Sequence, residues 1–327
     1  MGSKTGLAAQ CGVGVESVWG TRVAPTRYLE ILNESLKLDL QRTESQGLRA
    51  GRRFSRKYRD NRKGAGGTIA LEVPTKGFGL IAKHILGAVA TATPVGGTLS
   101  RDHTATPGDL DGKSFSIQLG RPDLSGTVRP FDYTGVKVMS AEFSNSVDGI
   151  LSCTLTLDAQ NEDTTQTLGT ASYPTGLDQF FFVDAKLTLD ATQVDVKDFS
   201  CSISNGLKGD RYYLRESSLK KEQIEDTAAR EVTGTFNADF DGMSHYNSFT
   251  AGTEAALVAR WRNPVAIEPG FYPEFEITLT RVRFDGETPN VGGSDVLNMA
   301  VPYKALEPLT GGSPTVSLRV RSDDSAP

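Results

Sequence analysis

Apolar and polar residues alternate along most of this chain with the two-residue period of half-buried strands, and one stretch interrupts that rhythm. Leu36, Leu38 and Leu40 alternate with Lys37, Asp39 and Gln41, and further on Ile69, Leu71 and Val73 alternate with Ala70 and Glu72. Between these two predicted strands there is almost nothing apolar with which to build a core. From Arg49 to Lys63 stand eight bases, Arg49, Arg52, Arg53, Arg56, Lys57, Arg59, Arg62 and Lys63, against a single acid, Asp60. Connections of this length without a core of their own are uncommon in compact domains, and are functional or disordered when present. We read 42–67 as a basic arm made for another molecule, with the glycines of Gly64–Gly67 as its hinge.

The rest of the chain is read in the same way. Gly12 to Pro25 is expected to form a glycine-punctuated turn; its glycines do not match a dinucleotide fingerprint, because Ser17 stands where the third glycine belongs and no strand precedes them. Phe78, Ile81, Ile85 and Val89 fall at helical spacing and predict one short helix. Thr91 to Gly112 reads as a polar loop. Strands follow over Ser114–Leu119 and Val136–Phe143, the latter with its apolar face switching between Val138 and Met139, which predicts a bulge. Leu151, Cys153, Leu155, Leu157 and Ala159 make the clearest alternation. A polar connector, Gln160 to Asp178, then separates the halves.

The second half echoes the first. Phe199, Cys201 and Ile203 alternate like Leu36, Leu38 and Leu40, and the charged connector Leu207 to Glu231 stands in the place of the arm. Gly234-Thr235-Phe236 matches Gly67-Thr68-Ile69, Ala259–Pro264 matches Ser116–Pro122, Gly270–Asp285 matches Pro130–Ser144, and Ser294–Glu307 matches Asp148–Glu162. Five blocks in one order predict a tandem duplication, with a single large sandwich of look-alike strands as the alternative.

Charge sharpens this picture. The formal net charge is -5, but removing the arm's eight bases and one acid leaves 27 bases against 39 acids, or -12 for the body. A basic arm on an acidic body favours contact between copies over nucleic-acid binding. Cys11, Cys153 and Cys201 form an odd set without paired spacing, the N-terminus has no apolar signal core, and Leu80–Ala90, broken by Lys83 and His84, is too short to cross a membrane. The expectation is a reducing compartment, no disulfides and no membrane. The Met-Gly start departs from the myristoylation pattern at Gly6.

Chemistry-bearing motifs are missing. His84, His103 and His245 stand apart with no zinc-ligand spacing; His84 is expected to be a surface or packed residue. There is no Gly-x-Ser-x-Gly elbow and no phosphate loop. The reading is a non-enzyme with no cofactor and no metal. Nucleic-acid binding by the arm, with Phe54 and Tyr58 interleaved among the bases, is the competing class, and it predicts steep loss of binding with salt.

Gly12–Phe54 and Pro74–Gly87 resemble the N-terminal half of the major tail tube proteins of long-tailed, non-contractile bacteriophages. The resemblance rests on the Gly-Val-Glu-x-x-x-Gly-Thr lead-in, the Ala-Pro-Thr-Arg step at Ala24–Arg27, the Glu-Ser-Leu-Lys-Leu strand at Glu34–Leu38 and the Gly-Leu-Arg-x-Gly-Arg-Arg arm at Gly47–Arg53. It implies a mainly β fold, a β-sandwich or barrel with a flanking helix per domain, and a structural virion protein stacked in rings around a lumen for phage DNA. It further implies an arm that reaches a neighbouring subunit or ring, with Arg49 to Lys63 in that place. Length departs from the single-domain pattern. Expected are a first tube domain over 12–175, a duplicate over 176–320 and tails at 1–11 and 321–327. Three such chains would make a pseudo-sixfold ring, and six chains the alternative. The implied partners are the chain itself, the tape measure protein and other tail proteins, with DNA passing without specific binding; the implied locations are the virion tail and, during assembly, the host cytoplasm. A single-ring virion protein such as a tail terminator remains an alternative.

Overall fold

The computed structural model describes residues 5–327 except 217, 227, 241, 287, 289–290, 292–293 and 295. Residues 1–4 of the expected N-terminal tail, and with them the Met-Gly start, lie outside the described residues, as does the side chain of His245. The first half contains strands β1 (Gln10–Glu16), β2 (Arg27–Leu29), β3 (Asn33–Glu34), β4 (Lys37–Glu44) and β5 (Tyr58–Glu72), then helix α1 (Phe78–Leu86). It continues through β6 (Gly87–Ala92), β7 (Arg101–Pro107), β8 (Ser114–Pro122), β9 (Val128–Ser146), β10 (Ser152–Ala159) and β11 (Asn161–Asp163). In the second half are β12 (Ala185–Leu189), β13 (Thr192–Val194), β14 (Asp198–Ser204), β15 (Leu207–Lys208), β16 (Glu225–Asp226) and β17 (Glu231–Asp239), then α2 (Ser244–Ala251). The last strands are β18 (Glu254–Arg262), β19 (Glu274–Phe284), β20 (Asn298–Ala305) and β21 (Val316–Ser322).

The fold is a mainly β sandwich with two helices. One layer runs β4, β5, β10, the C-terminal half of β9, β14, β17 and β20, all antiparallel. Strict alternation builds it: on β10 Cys153, Leu155, Leu157 and Ala159 are buried while Ser152, Thr154, Thr156 and Asp158 look outward. Opposite it lie two runs of strands: β2, β1, β8 and the N-terminal half of β9, and then β6 and β7 of the first half continued by β21, β19, β18, β12 and β13 of the second. Trp261 of β18 meets Phe199 of β14 edge-on at 5.7 Å, a contact that joins the two layers.

Strand β9 crosses between layers by two local irregularities. Gly135, at φ 64, lies in the left-handed region that glycine enters without strain, and its N–H donates to Glu16 Oε1 at 2.8 Å. Glu16 is buried and also accepts from Gly20 N–H and from the hydroxyls of Ser114 and Ser116, so a charged group deep in the sandwich is fully engaged. Three residues beyond Val136, the register shifts so that Val138 faces Leu157 and Ser140 faces Thr156, leaving Met139 as the bulged residue that the alternation predicts. Met139 turns onto a small second cluster of Leu110, Leu207 and Ile224.

The halves share one core. Phe78 of α1, Phe143 of β9 and Phe275 of β19 form a triangle with ring centroids 5.3 to 6.2 Å apart. The carbonyls at the end of α1, which no further helical turn can satisfy, accept from the second half: Asn205 Nδ2 donates to Ile85 O at 2.9 Å and Arg230 to Leu86 O at 2.9 Å. On the outer side β21 pairs with β7, where Asp102 receives Arg321 Nε at 2.7 Å. Burial alone would raise the Asp102 pKa, but the guanidiniums of Arg321 and Arg319 hold it below the usual carboxylate value.

Neighbour order recurs within the chain. β4, β5, β10 and β9 lie side by side, followed by β14, β17, β20 and β19 in the same relation, and a helix follows β5 and β17 alike. Gly67 on β5 presses against the carbonyl of Ser35, and Gly234 on β17 presses against the carbonyl of Ser200, so the same close approach fixes both strand pairs.

Several expectations are corrected. Gly12 to Pro25 is no turn at its start: β1 is a central strand between β2 and β8, and Gly12 and Gly14 are needed because a side chain there would strike Pro25, Tyr28 or the Ala24 carbonyl. The stretch 91–112 contains β7 as well as loop. His103 lies within that strand, buried, with Nδ1 2.9 Å from Thr91 Oγ1 and Nε2 3.0 Å from the Asp324 carbonyl. Val89 leaves the helical stripe, since Gly87 at φ 102 ends α1 and the chain continues as β6. His84 is packed, edge-on to Phe115 at 4.8 Å.

Candidate functional site

The arm is a β-ribbon and not a structureless loop. β4 and β5 remain paired from Lys37 opposite Gly66 out to Glu44 opposite Tyr58, with a bulge between Gln41 and Arg42. β10 covers β5 only as far as Ala65. The connector 207–231 holds the ribbon as far as Arg62, and beyond it the paired strands extend on their own for about 13 Å, at roughly 3.3 Å per residue. Ser45 N–H donates to Lys57 O at 2.9 Å and closes the paired section, and Arg52 N–H donates to Arg49 O at 3.0 Å within the tip. Gly64–Gly67 is therefore not a hinge but part of β5. Its glycines admit Tyr212 beside Gly64 and the Leu157 carbonyl beside Gly66 where the ribbon leaves the sheet.

Two of the eight bases are tied down at the root. The Arg62 guanidinium lies over the Tyr212 ring at 5.3 Å, while Lys63 donates its N–H to Leu219 O at 2.8 Å and its Nζ to Glu162 O at 3.3 Å. Lys221, from the same connector, pairs with Asp158 on β10. The connector 207–231 thus buttresses the root of the arm. Arg211 bonds across it to Gln223 O at 2.6 Å.

The other six behave differently. Arg49, Arg52, Arg53, Arg56 and Lys57 sit in the tip and Arg59 on the outer part of β5; among the described residues none has a carboxylate within ion-pairing reach. Arg42 takes Asp60, the single acid between Arg49 and Lys63, at 2.9 Å, so that acid is not shared with the tip's bases. Leu48 and Phe54 stand among these bases in solvent, Phe54 at 86% exposed. Large apolar side chains beside unpaired arginines resemble the anchor residues of interfaces more than a solvated loop. Sequence periodicity exposed the arm's charge but missed the split between anchored root and free tip, because the partners of Arg62 and Lys63 come from some 150 residues away along the chain.

Among the described residues no group of three or more His, Cys, Asp or Glu comes together in a way that could hold a metal ion, and no helix is long and apolar enough to cross a membrane. Cys11, Cys153 and Cys201 are buried free thiols; burial pushes the Cys11 and Cys201 pKa values up to about 12, so neither is an activated nucleophile.

Comparison with curated proteins gives no match. The family model for phage tail tube protein matches residues 6–305, which spans both halves, the arm and both helices. With that match over most of its length, on a mainly β sandwich that carries a projecting ribbon, the chain belongs to the phage tail tube protein family.

Proposed function

We propose that copies of this chain close into rings that stack as a hollow tail tube, and that phage DNA travels through it to the host. The observation that carries the reading is the ribbon tip, where six unpaired bases flank exposed Leu48 and Phe54 on a protein that without those six has 29 bases against 40 acids, a formal charge of -11. Such a tip seeks an acidic, partly apolar surface, and another copy of the chain offers one. Joining subunits in this way also hides sheet edges that would otherwise aggregate. Arg49, Arg52, Arg53, Arg56, Lys57 and Arg59 act as the contact to a neighbouring subunit or ring, and Arg62 and Lys63 set the direction of the arm. Assembly in the host cytoplasm around a tape measure protein belongs to the same reading.

Within this reading the chain is a fused pair of tube domains, 12–175 and 176–320, and three chains complete a pseudo-sixfold ring. Support comes from the recurring neighbour order and from the matched Gly67–Ser35 and Gly234–Ser200 approaches. The test is electron microscopy of concentrated protein with rotational symmetry and mass per ring read from end-on views. Stacked tubes with three chains per ring are expected; tubes with six would remove the fused-pair reading and leave the tube. The variant Arg52→Glu, Arg53→Glu, Arg56→Glu should remain a folded protomer that forms no tubes. Normal tubes from it would take the arm out of the mechanism.

A further inference from the structure

The sheet that carries the arm has an opposite end, and that end holds a hollow. On β10, Ala159 pairs with Ala65 beside the root of the arm, whereas Ser152 pairs with Glu72 at the far end. From Ser152 the far end continues across β9 at Ser144, and Ser146 there faces Asp198 of β14. At this corner residues of β9, the β12–β13 hairpin and β14 enclose a cavity of about 260 Å3, with Phe199 and Trp261 in its wall. Val147 and Val183 also line it, 50% and 74% exposed. Asn145 reaches it from β9 and is only 8% exposed. Its Oδ1 accepts from Trp261 Nε1 at 3.1 Å, while its Nδ2 has no partner among the described residues. A buried amide left in this state is costly, and calls for an acceptor brought from outside.

Size and charge narrow the occupant. The cavity is smaller than the pockets of about 300–1,000 Å3 that hold drug-sized ligands, and suits one large side chain. The segments that frame it, 145–148, 182–186 and 193–198, carry Asp148, Asp184, Asp195 and Asp198 against Lys186 and Lys197. Lys197 is itself paired to Asp239 at 2.6 Å. An apolar pocket in an acidic frame is the complement of the arm tip, where exposed Phe54 stands among unpaired bases and the backbone supplies carbonyl acceptors. A second hollow at the same end, walled by Tyr28 and Tyr173, sets Arg27 and Lys76 against Glu30 and Asp324 and has no such excess of acid. The arm leaves the sheet at the other end, so the tip that fits the hollow belongs to another copy.

We propose that the hollow beside Asn145 and Trp261 receives the arm tip of the next copy along the stack, with Phe54 seated in it and the neighbouring arginines over Asp195 and Asp198. The proposal rests on the tube reading above and adds to it the surface that takes the arm. Tip and hollow lie at opposite ends of one sheet, so the contact is head to tail: each copy has one tip to give and one hollow to fill, and the series does not close on itself. The two ends of a tube then differ in chemistry, one showing basic tips and the other empty acidic hollows.

Cross-linking between copies tests it, since the native thiols are all fully buried and give little background. Ser55→Cys, which leaves Phe54 in place, and Val183→Cys are made on separate chains, mixed, assembled and treated with a short bismaleimide. In tubes the product should be a dimer that joins one variant to the other, with a yield roughly tenfold or more above that of the same mixture kept as dispersed protomers. Tubes whose tip thiols link to one another, or not at all to the thiol introduced at position 183, would overturn the proposal and leave the tube reading standing. A parent chain that forms no tubes would sink the tube reading itself. Independently, Val183→Arg sets a like charge at the mouth of the hollow on an exposed position. It should keep the thermal midpoint of the protomer and raise the protein concentration needed for tubes by roughly tenfold or more; tubes at the parent's concentration would refute the docking.

Discussion

Replacing Phe275 with alanine tests whether the two halves are one cooperative unit. The ring of Phe275 lies 5.5 Å from that of Phe78 and 5.3 Å from that of Phe143, both in the first half, and 6.1 Å from Trp261 in the second. It is fully buried. Truncating such a side chain costs about 3–5 kcal/mol, from lost transfer energy and the cavity left behind. With a urea dependence of about 3 kcal/mol per molar or more for a chain of this size, the unfolding midpoint should fall by roughly 1 M. Thiol labelling across a urea series, read peptide by peptide, reports each half separately, because Cys11 is buried in β1 and Cys201 in β14. Both should become reactive at one midpoint in the parent chain, and both midpoints should move together in Phe275→Ala. If Cys11 held its midpoint while that of Cys201 dropped, the shared core would not couple the halves and the reasoning would fail.

Brief trypsin treatment of protomers should cut first at the tip, after Arg49, Arg52, Arg53, Arg56 or Lys57, and leave Arg62 and Lys63 intact at the buttressed root; early cleavage at the root would contradict the split. Gly67→Ala adds a Cβ against the Ser35 carbonyl at a backbone with φ 155, and should cost roughly 2 kcal/mol or more by strain and displacement, whereas Gly47→Ala should be near neutral. Comparable thermal midpoints for the two would remove Gly67 from the architecture. Burial, with Lys83 and Lys113 adding to it, lowers the His84 pKa to about 3, so the folded protein keeps the ring neutral where the unfolded chain protonates it. Stability from this group is therefore complete above the unfolded pKa of about 6.5 and declines as pH falls toward 3, by at most about 1.4 kcal/mol per pH unit. His84→Leu should flatten the decline between pH 7 and 5, measured by urea denaturation; an unchanged slope would remove His84 as its source.

Alternation made the strands legible wherever one face is buried and the other wet. It located β10 and β14 and the bulge at Met139, since a change of face leaves a trace in the order of residues. It failed where both faces are engaged: β1 carries Gly12 and Gly14 because loop residues press on it, and those glycines imitate a turn. Strand β7 was hidden for a related reason. Arg101, Asp102 and Thr104 look like loop residues until β21 arrives beside them with Arg319 and Arg321. At the arm, charge density gave away the tip, whereas the root depends on Tyr212, Leu219 and Lys221, which no local pattern connects to Arg62 or Lys63. The buried set around Glu16 was equally silent, since a carboxylate among small residues reads as surface until four donors converge on it.

The pairing of β21 with β7 has a consequence for the order in which the chain can fold. Asp102 and Arg321 are 219 residues apart in sequence, and the Phe275 corner of the core is also made late in translation. While a ribosome is still adding the second half, the first half has an uncovered β7, an uncovered β9 edge and a gap beside Phe78 and Phe143. Long-range pairings of this kind make folding slow and hold back completion until β21 has been made. A nascent chain arrested before Val316 should accordingly remain protease-sensitive throughout its first half, and resistance at that stage would contradict the argument. Synthesis itself then acts as a timer, because no copy can present a finished surface to another until its last strand has been made.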